Sequence, residues 1–126
     1  MNIKIFLADD HTVLRDSLRF LLDAQPDFQV VGVAANGRDA VRQVAALCPD
    51  VAILDIAMPE MNGIEAARRI CQNCPSTRVI ILSMHRTPEH ISRALHAGAR
   101  GYLLKESASE EVIEAVRTVY AGRRCL

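Results

Sequence analysis

Three carboxylates, Asp9, Asp10 and Asp55, a hydroxyl, Ser83, and an ammonium, Lys105, each stand at the end of a short aliphatic run. The runs are IKIFLA before Asp9, VAIL before Asp55, RVIIL before Ser83 and GYLL before Lys105. A run of this kind closing on turn chemistry reads as a buried strand, and aspartate is among the poorest residues to keep inside one. Each polar group is therefore expected at a strand mouth. Taken singly, Ser83 would bond local backbone and Lys105 would be solvated surface; the coincidence across strand ends is what argues for a site. Brought together, the carboxylates repel one another by about 4 kcal/mol per close pair at an effective dielectric near 20, so they need a cation. An oxygen-only ligand set without a histidine pair or thiolate cluster suits a hard divalent ion. Mg²⁺, which keeps some of its waters, fits an open cleft. With a phosphate drawn to that ion, Lys105 can pair with one phosphoryl oxygen and Ser83 can donate to another. The chemistry suggested is phosphoryl transfer onto Asp55 as a carboxylate nucleophile.

The elements that must position these groups alternate. Strands are expected at Ile3 to Ala8, Gln29 to Ala35, Val51 to Leu54, Arg78 to Leu82 and Gly101 to Leu104, with segments of helical period between them. Leu14, Leu18, Leu21 and Leu22 share one face of the first helix, and Val112, Val116, Val119 and Tyr120 repeat that spacing in the last. Asn36 and Asn62 suit the N-caps of the second and third helices, Thr87 with Pro88 the start of the fourth, and Ser107 with Glu110 a capping box for the fifth. Gly98 and Gly122 fall where the fourth and fifth helices should stop. Strand and helix in alternation imply an α/β fold, a parallel sheet covered on both faces, whose ligands bind beyond the carboxyl ends of the strands. Neighbours in a strand point to opposite faces, so Asp9 and Asp10 can both reach the site only if the first strand has ended before them.

At 126 residues, half of them hydrophobic, the chain fits one domain with a sizeable core, and its formal charges cancel. Bulk charge therefore offers nothing to a polyanion. No apolar stretch is long enough to span a bilayer, and the start MNIKIFLADDH lacks the features of a secretion signal, so a cytosolic protein is expected. Of the cysteines at 48, 71, 74 and 125, Cys71 and Cys74 form a Cys-x-x-Cys. They fall at the end of a helix rather than its start and lack two further clustered zinc ligands, so ordinary reduced thiols are expected.

The segments LADDH, LDIAMPEMNG, ILSMH and GYLLKES, in that order and at those intervals, give the sequence a close resemblance to the response-regulator receiver domain of bacterial two-component signalling. The resemblance covers essentially the whole chain. DDH, AGARGYLLK and AVRTVYAG are most similar to the NarL/FixJ (LuxR-type) branch, whose members usually carry a C-terminal helix-turn-helix DNA-binding domain. It implies a doubly wound, flavodoxin-like (βα)5 fold of five parallel strands in the order 2-1-3-4-5. It also implies that Asp55 takes a phosphoryl group from a sensor histidine kinase and that Lys105 bridges to that group. Asp10, Asp55 and the backbone carbonyl of Ala57 would hold Mg²⁺, with Asp9 acting largely through a bound water. Ser83 and Tyr102 match the family's switch pair, the hydroxyl moving towards the phosphoryl group while the ring turns inward. On this reading the chain is a signalling domain, not an enzyme acting on outside substrates. It promotes its own phosphorylation and slow dephosphorylation, dimerises when phosphorylated, and controls a transcriptional output lying beyond residue 126. The alternative is a stand-alone receiver working through protein contacts. Two departures stand out: Glu106 follows Lys105 where many receivers have proline, and Ala57 and His85 occupy positions that tune acyl-phosphate hydrolysis. Ala57 also replaces the second aspartate of the haloacid-dehalogenase-like phosphatases, and DDHTVLRD is not the Ser/Thr/Gly-rich phosphate loop of a flavin module.

Overall fold

The computed structural model describes residues 2–107 and 109–126. Strands β1 (Ile3–Ala8), β2 (Phe28–Ala34), β3 (Val51–Asp55), β4 (Arg78–Ser83) and β5 (Gly101–Leu104) alternate with helices α1 (Thr12–Asp23), α2 (Gly37–Leu47), α3 (Gly63–Asn73), α4 (Pro88–His96) and α5 (Ser109–Tyr120). The strands form one parallel sheet in the order β2-β1-β3-β4-β5, as the resemblance implied. Strand boundaries differ from expectation by a residue: β2 begins and ends one residue earlier, while β3 and β4 take in Asp55 and Ser83 as their last residues.

Period-two alternation sorts the aliphatics into two cores. Ile3, Ile5 and Leu7 of β1, Val51 and Ile53 of β3, and Ile80 and Leu82 of β4 pack with Leu18 and Leu22 of α1 and Val112, Val116 and Val119 of α5. Their neighbours Phe6, Ala8, Ala52, Leu54, Val79 and Ile81 face the other way, against Ala40 and Val44 of α2, Ala66, Ala67 and Ile70 of α3 and Ala94 of α4. Every residue of β3 is buried, which explains its unbroken aliphatic run. Each large aliphatic side chain so buried contributes about 1.5–3 kcal/mol relative to exposure.

Local signals set the helix ends. The side chains of Asn36, Asn62 and Thr87 accept from the amides of Asp39, Glu65 and His90, and Pro88 opens α4. Gly98 and Gly122, just past α4 and α5, take φ of 104° and 89°, the left-handed region where glycine costs least. α5 is described from Ser109, and the capping box expected of Ser107 and Glu110 turns on residue 108, which lies outside the described residues.

Candidate functional site

The sheet reverses its winding at β1, whose neighbours are β2 on one side and β3 on the other, and the crevice beyond these strand ends is where such folds bind ligands. Ala8 pairs with Leu54, Asp55 with Leu82 and Ser83 with Leu104. That register sets Asp9 beside Asp55 and delivers Ser83 and Lys105 to the same edge. β1 stops at Ala8, meeting the condition for both Asp9 and Asp10 to turn towards the site. One ligand atom from each of Asp9, Asp10, His11 and Asp55 can be chosen so that all lie within 4.8 Å of one another.

Burial separates the acids. Asp9 and Asp55 are 0% and 1% exposed, whereas the Asp10 side chain keeps 38% of its surface open. Lys105 lies over the buried pair, its Nζ 2.9 Å from Asp55 Oδ2 and 3.3 Å from Asp9 Oδ1. Burial pushes the Asp55 carboxyl above its usual range, and the negative charge of Asp9 adds to this while the Lys105 hydrogen bond opposes it. Burial works against the Lys105 charge too, but hydrogen bonding and attraction to Asp55, with Asp9 in support, prevail and raise its pKa. The Ala57 amide donates to Asp55 Oδ1 at 3.3 Å, folding the residues after β3 back over the carboxylate.

The approach of α3 depends on Gly63. A Cβ there would lie 2.2 Å from the Asp55 carbonyl oxygen and 2.9 Å from Ile56 Cα, so only glycine lets the first turn of α3 press on the strand end. The Gly63 amide donates to the Ile56 carbonyl at 2.8 Å, closing the MPEMN turn.

Ser83 and Tyr102 are joined through a residue that the sequence marked only for hydrolysis. The His85 amide donates to Ser83 Oγ at 3.1 Å, and the Tyr102 hydroxyl donates to the His85 carbonyl at 2.6 Å. Tyr102 is 1% exposed, its ring turned inward among the α2–α4 core. Among the described residues every peptide bond is trans, Lys105–Glu106 included.

Two groups were not singled out from sequence. His11 Nδ1 lies 2.9 Å from Lys105 Nζ and 3.2 Å from Asp9 Oδ1, and its amide donates to the same Asp9 oxygen. Arg15 Nη1 donates to the Asp9 carbonyl at 2.9 Å, one helical turn into α1. The only advance signal was the triplet DDH, because a histidine 94 residues from a lysine carries no sequence mark of their contact.

The donors suit a hard cation. Asp9 Oδ2 is buried and makes no hydrogen bond among the described residues, although Lys105 Nζ stands 3.3 Å away. A sealed carboxylate oxygen without a bond is costly, and a nearby ion or one of its waters would satisfy it.

The response regulator receiver domain family matches residues 5–117. The chain is 43% identical over 121 residues to the oxygen regulatory protein NreC of Staphylococcus epidermidis, covering 95% of this chain and 56% of that protein. It is 42% identical over 124 residues to the DNA-binding transcriptional activator DevR/DosR of Mycobacterium tuberculosis, covering 98% and 57%. The chain thus spans a little over half the length of these curated relatives. In structure it is similar to a two-component response regulator of the LuxR family from Aurantimonas sp. SI85-9A1, with a TM-score of 0.94, 35% identity, and 100% of this chain against 90% of that one. No described helix is long and apolar enough to cross a membrane. Fold, strand-end acids and these likenesses agree: the chain belongs to the response regulator receiver domain family, on its NarL/LuxR branch, and is a signalling module rather than an ordinary enzyme.

Proposed function

We propose that the chain is a phosphoacceptor switch, phosphorylated on Asp55 by a sensor histidine kinase in the presence of Mg²⁺. The observation that carries this reading is the buried Asp55 carboxylate held by Lys105 at 2.9 Å, beside an Asp9 oxygen that has no hydrogen-bond partner among the described residues. A carboxylate oxygen of Asp55 attacks phosphorus as the bond to the donor's leaving group breaks. Lys105 takes up charge on the phosphoryl oxygens, and Ser83 donates to one of them. Asp10, Asp55 and the Ala57 carbonyl would hold Mg²⁺, with Asp9 acting through a water. The ion supplies positive charge that lets an anionic phosphate approach three acids.

Once Ser83 Oγ turns to the phosphoryl group, it gives up the His85 amide, and the same residue's carbonyl holds Tyr102. The surface of α4, β5 and α5 responds to that exchange, a population shift driven by differential contacts at the phosphoryl group. The output is dimerisation and transcriptional control through a DNA-binding domain beyond residue 126, a reading supported by relatives named as transcriptional and DNA-binding proteins and longer than this chain. Slow autodephosphorylation, with Ala57 and His85 flanking the path of water, resets the switch.

The test is incubation with Mg²⁺ and acetyl phosphate, scored by mass. Wild type gains one phosphoryl group and Asp55→Asn gains none; label retained by Asp55→Asn overturns the assignment.

A further inference from the structure

Away from the acidic edge, two of the thiols meet. Cys48 closes α2 and Cys74 closes α3, and their sulfurs lie 3.4 Å apart although 26 residues separate them. Cys48 is exposed and Cys74 is 5% exposed. Cys48 takes the left-handed conformation, φ 45° and ψ 60°, at a helix end where glycine or asparagine is usual. Backbone bonds fix both partners: the Cys48 amide donates to Val44, the Cys74 amide to Ile70, and the Thr77 amide to the Cys74 carbonyl. The buried Thr77 hydroxyl then donates to the Pro49 carbonyl at 2.7 Å, tying the loop after Cys48 to the loop after Cys74. A disulfide of about 2.05 Å needs the sulfurs to close by only about 1.4 Å from their 3.4 Å separation.

We propose that Cys48 and Cys74 are a peroxide-sensitive dithiol that oxidises to an intramolecular disulfide joining the C-terminal ends of α2 and α3. The exposed Cys48 reacts first: its thiolate attacks one peroxide oxygen, the S–O bond forms, the O–O bond breaks, and hydroxide leaves to take up a proton. Cys74 sulfur then attacks the Cys48 sulfenic sulfur. The S–S bond forms, the S–O bond breaks, and the departing hydroxide takes the Cys74 proton as water. Two thiols and one hydrogen peroxide give one disulfide and two waters. Burial, with the Cys48 sulfur alongside, keeps the Cys74 thiol above the ordinary range, which leaves the first attack on peroxide to the exposed Cys48, and the 3.4 Å separation places Cys74 to resolve it. The pair is remote from Asp55 in chemistry, so this assignment is independent of the phosphoacceptor reading.

The test uses the wild-type domain treated with modest excess hydrogen peroxide, denatured, alkylated with N-ethylmaleimide and digested with trypsin. Expected are a DTT-reversible loss of about 2 Da in intact mass and a linked pair of peptides 43–68 and 70–78, with fragmentation placing the bond at Cys74 rather than Cys71. A Cys71→Ser, Cys125→Ser double variant retains the linkage. The proposal is overturned if Cys48 and Cys74 both remain alkylatable, if the bond maps to Cys71 or Cys125, or if Cys48 proceeds to sulfinic acid while Cys74 stays free.

Discussion

Replacing Lys105 with methionine keeps the side chain's length and removes its charge from between two buried carboxylates. The contacts at 2.9 and 3.3 Å each carry roughly 5–6 kcal/mol of attraction at an effective dielectric near 20, before desolvation of the ammonium is counted against them. Breaking a buried pair by deleting one member leaves the other charges uncompensated, which costs about 3–5 kcal/mol net. With a urea dependence of about 2 kcal/mol per molar, the unfolding midpoint falls by roughly 1.5–2.5 M in metal-free buffer at neutral pH. Unfolding is followed by far-ultraviolet circular dichroism, since the chain has no tryptophan. The pH dependence has a definite sign. Asp55 already has a raised pKa from burial, and losing the Lys105 hydrogen bond and charge raises it further. A carboxyl raised in the folded state contributes stability that is present below its unfolded pKa, about 3.9, and lost as pH rises through the folded value. The gap between variant and wild type therefore opens from about pH 4 upward and keeps growing until pH passes the variant's raised Asp55 value. Millimolar Mg²⁺, by restoring positive charge at the acids, narrows it. Equal midpoints at neutral pH without metal, or a gap that widens towards pH 4, would refute the electrostatic reasoning.

Gly63→Ala drives a Cβ to 2.2 Å from the Asp55 carbonyl, so it should cost about 1–3 kcal/mol by thermal denaturation and slow labelling by acetyl phosphate. Gly122→Ala, with nothing among the described residues within 4 Å of the added Cβ, should cost only the roughly 1–2 kcal/mol of its left-handed backbone and leave labelling unchanged. Arg117 holds the Asp27 carboxyl below its usual range and packs over Phe28 with 4.6 Å from Cζ to the ring centroid. The charge part of the destabilisation in Arg117→Ala is thus present above the unfolded pKa of Asp27 and disappears as pH falls through its lowered folded value, which urea midpoints across acid pH will show. Tyr102→Phe removes the 2.6 Å bond to the His85 carbonyl, and a loss of about 0.5–1.5 kcal/mol is expected, with faster amide exchange across residues 84–87.

Much of this molecule is set by interactions a few residues long. Aliphatic runs marked all five strands, the two-residue period sorted them between two cores, and Asn36, Asn62 and Thr87 announced the helices they cap, because each signal depends on neighbours within one turn or one strand. The strand-end position of Asp55, Ser83 and Lys105 was legible for the same reason, and the family resemblance supplied the strand order that makes those ends converge. Other decisions belong to the tertiary structure alone. Asp9 and Asp10 are chemically identical neighbours, yet packing seals the first and leaves the second open. Tyr102 faces inward because its hydroxyl finds a carbonyl 17 residues away, and Lys105 meets Asp9 across 96. Cys48 lies against Cys74 only because β3 carries the chain between α2 and α3 and leaves their far ends side by side. Contacts of that span are paid for by closing long loops, and only packing of the whole sheet and its helices fixes which ones form.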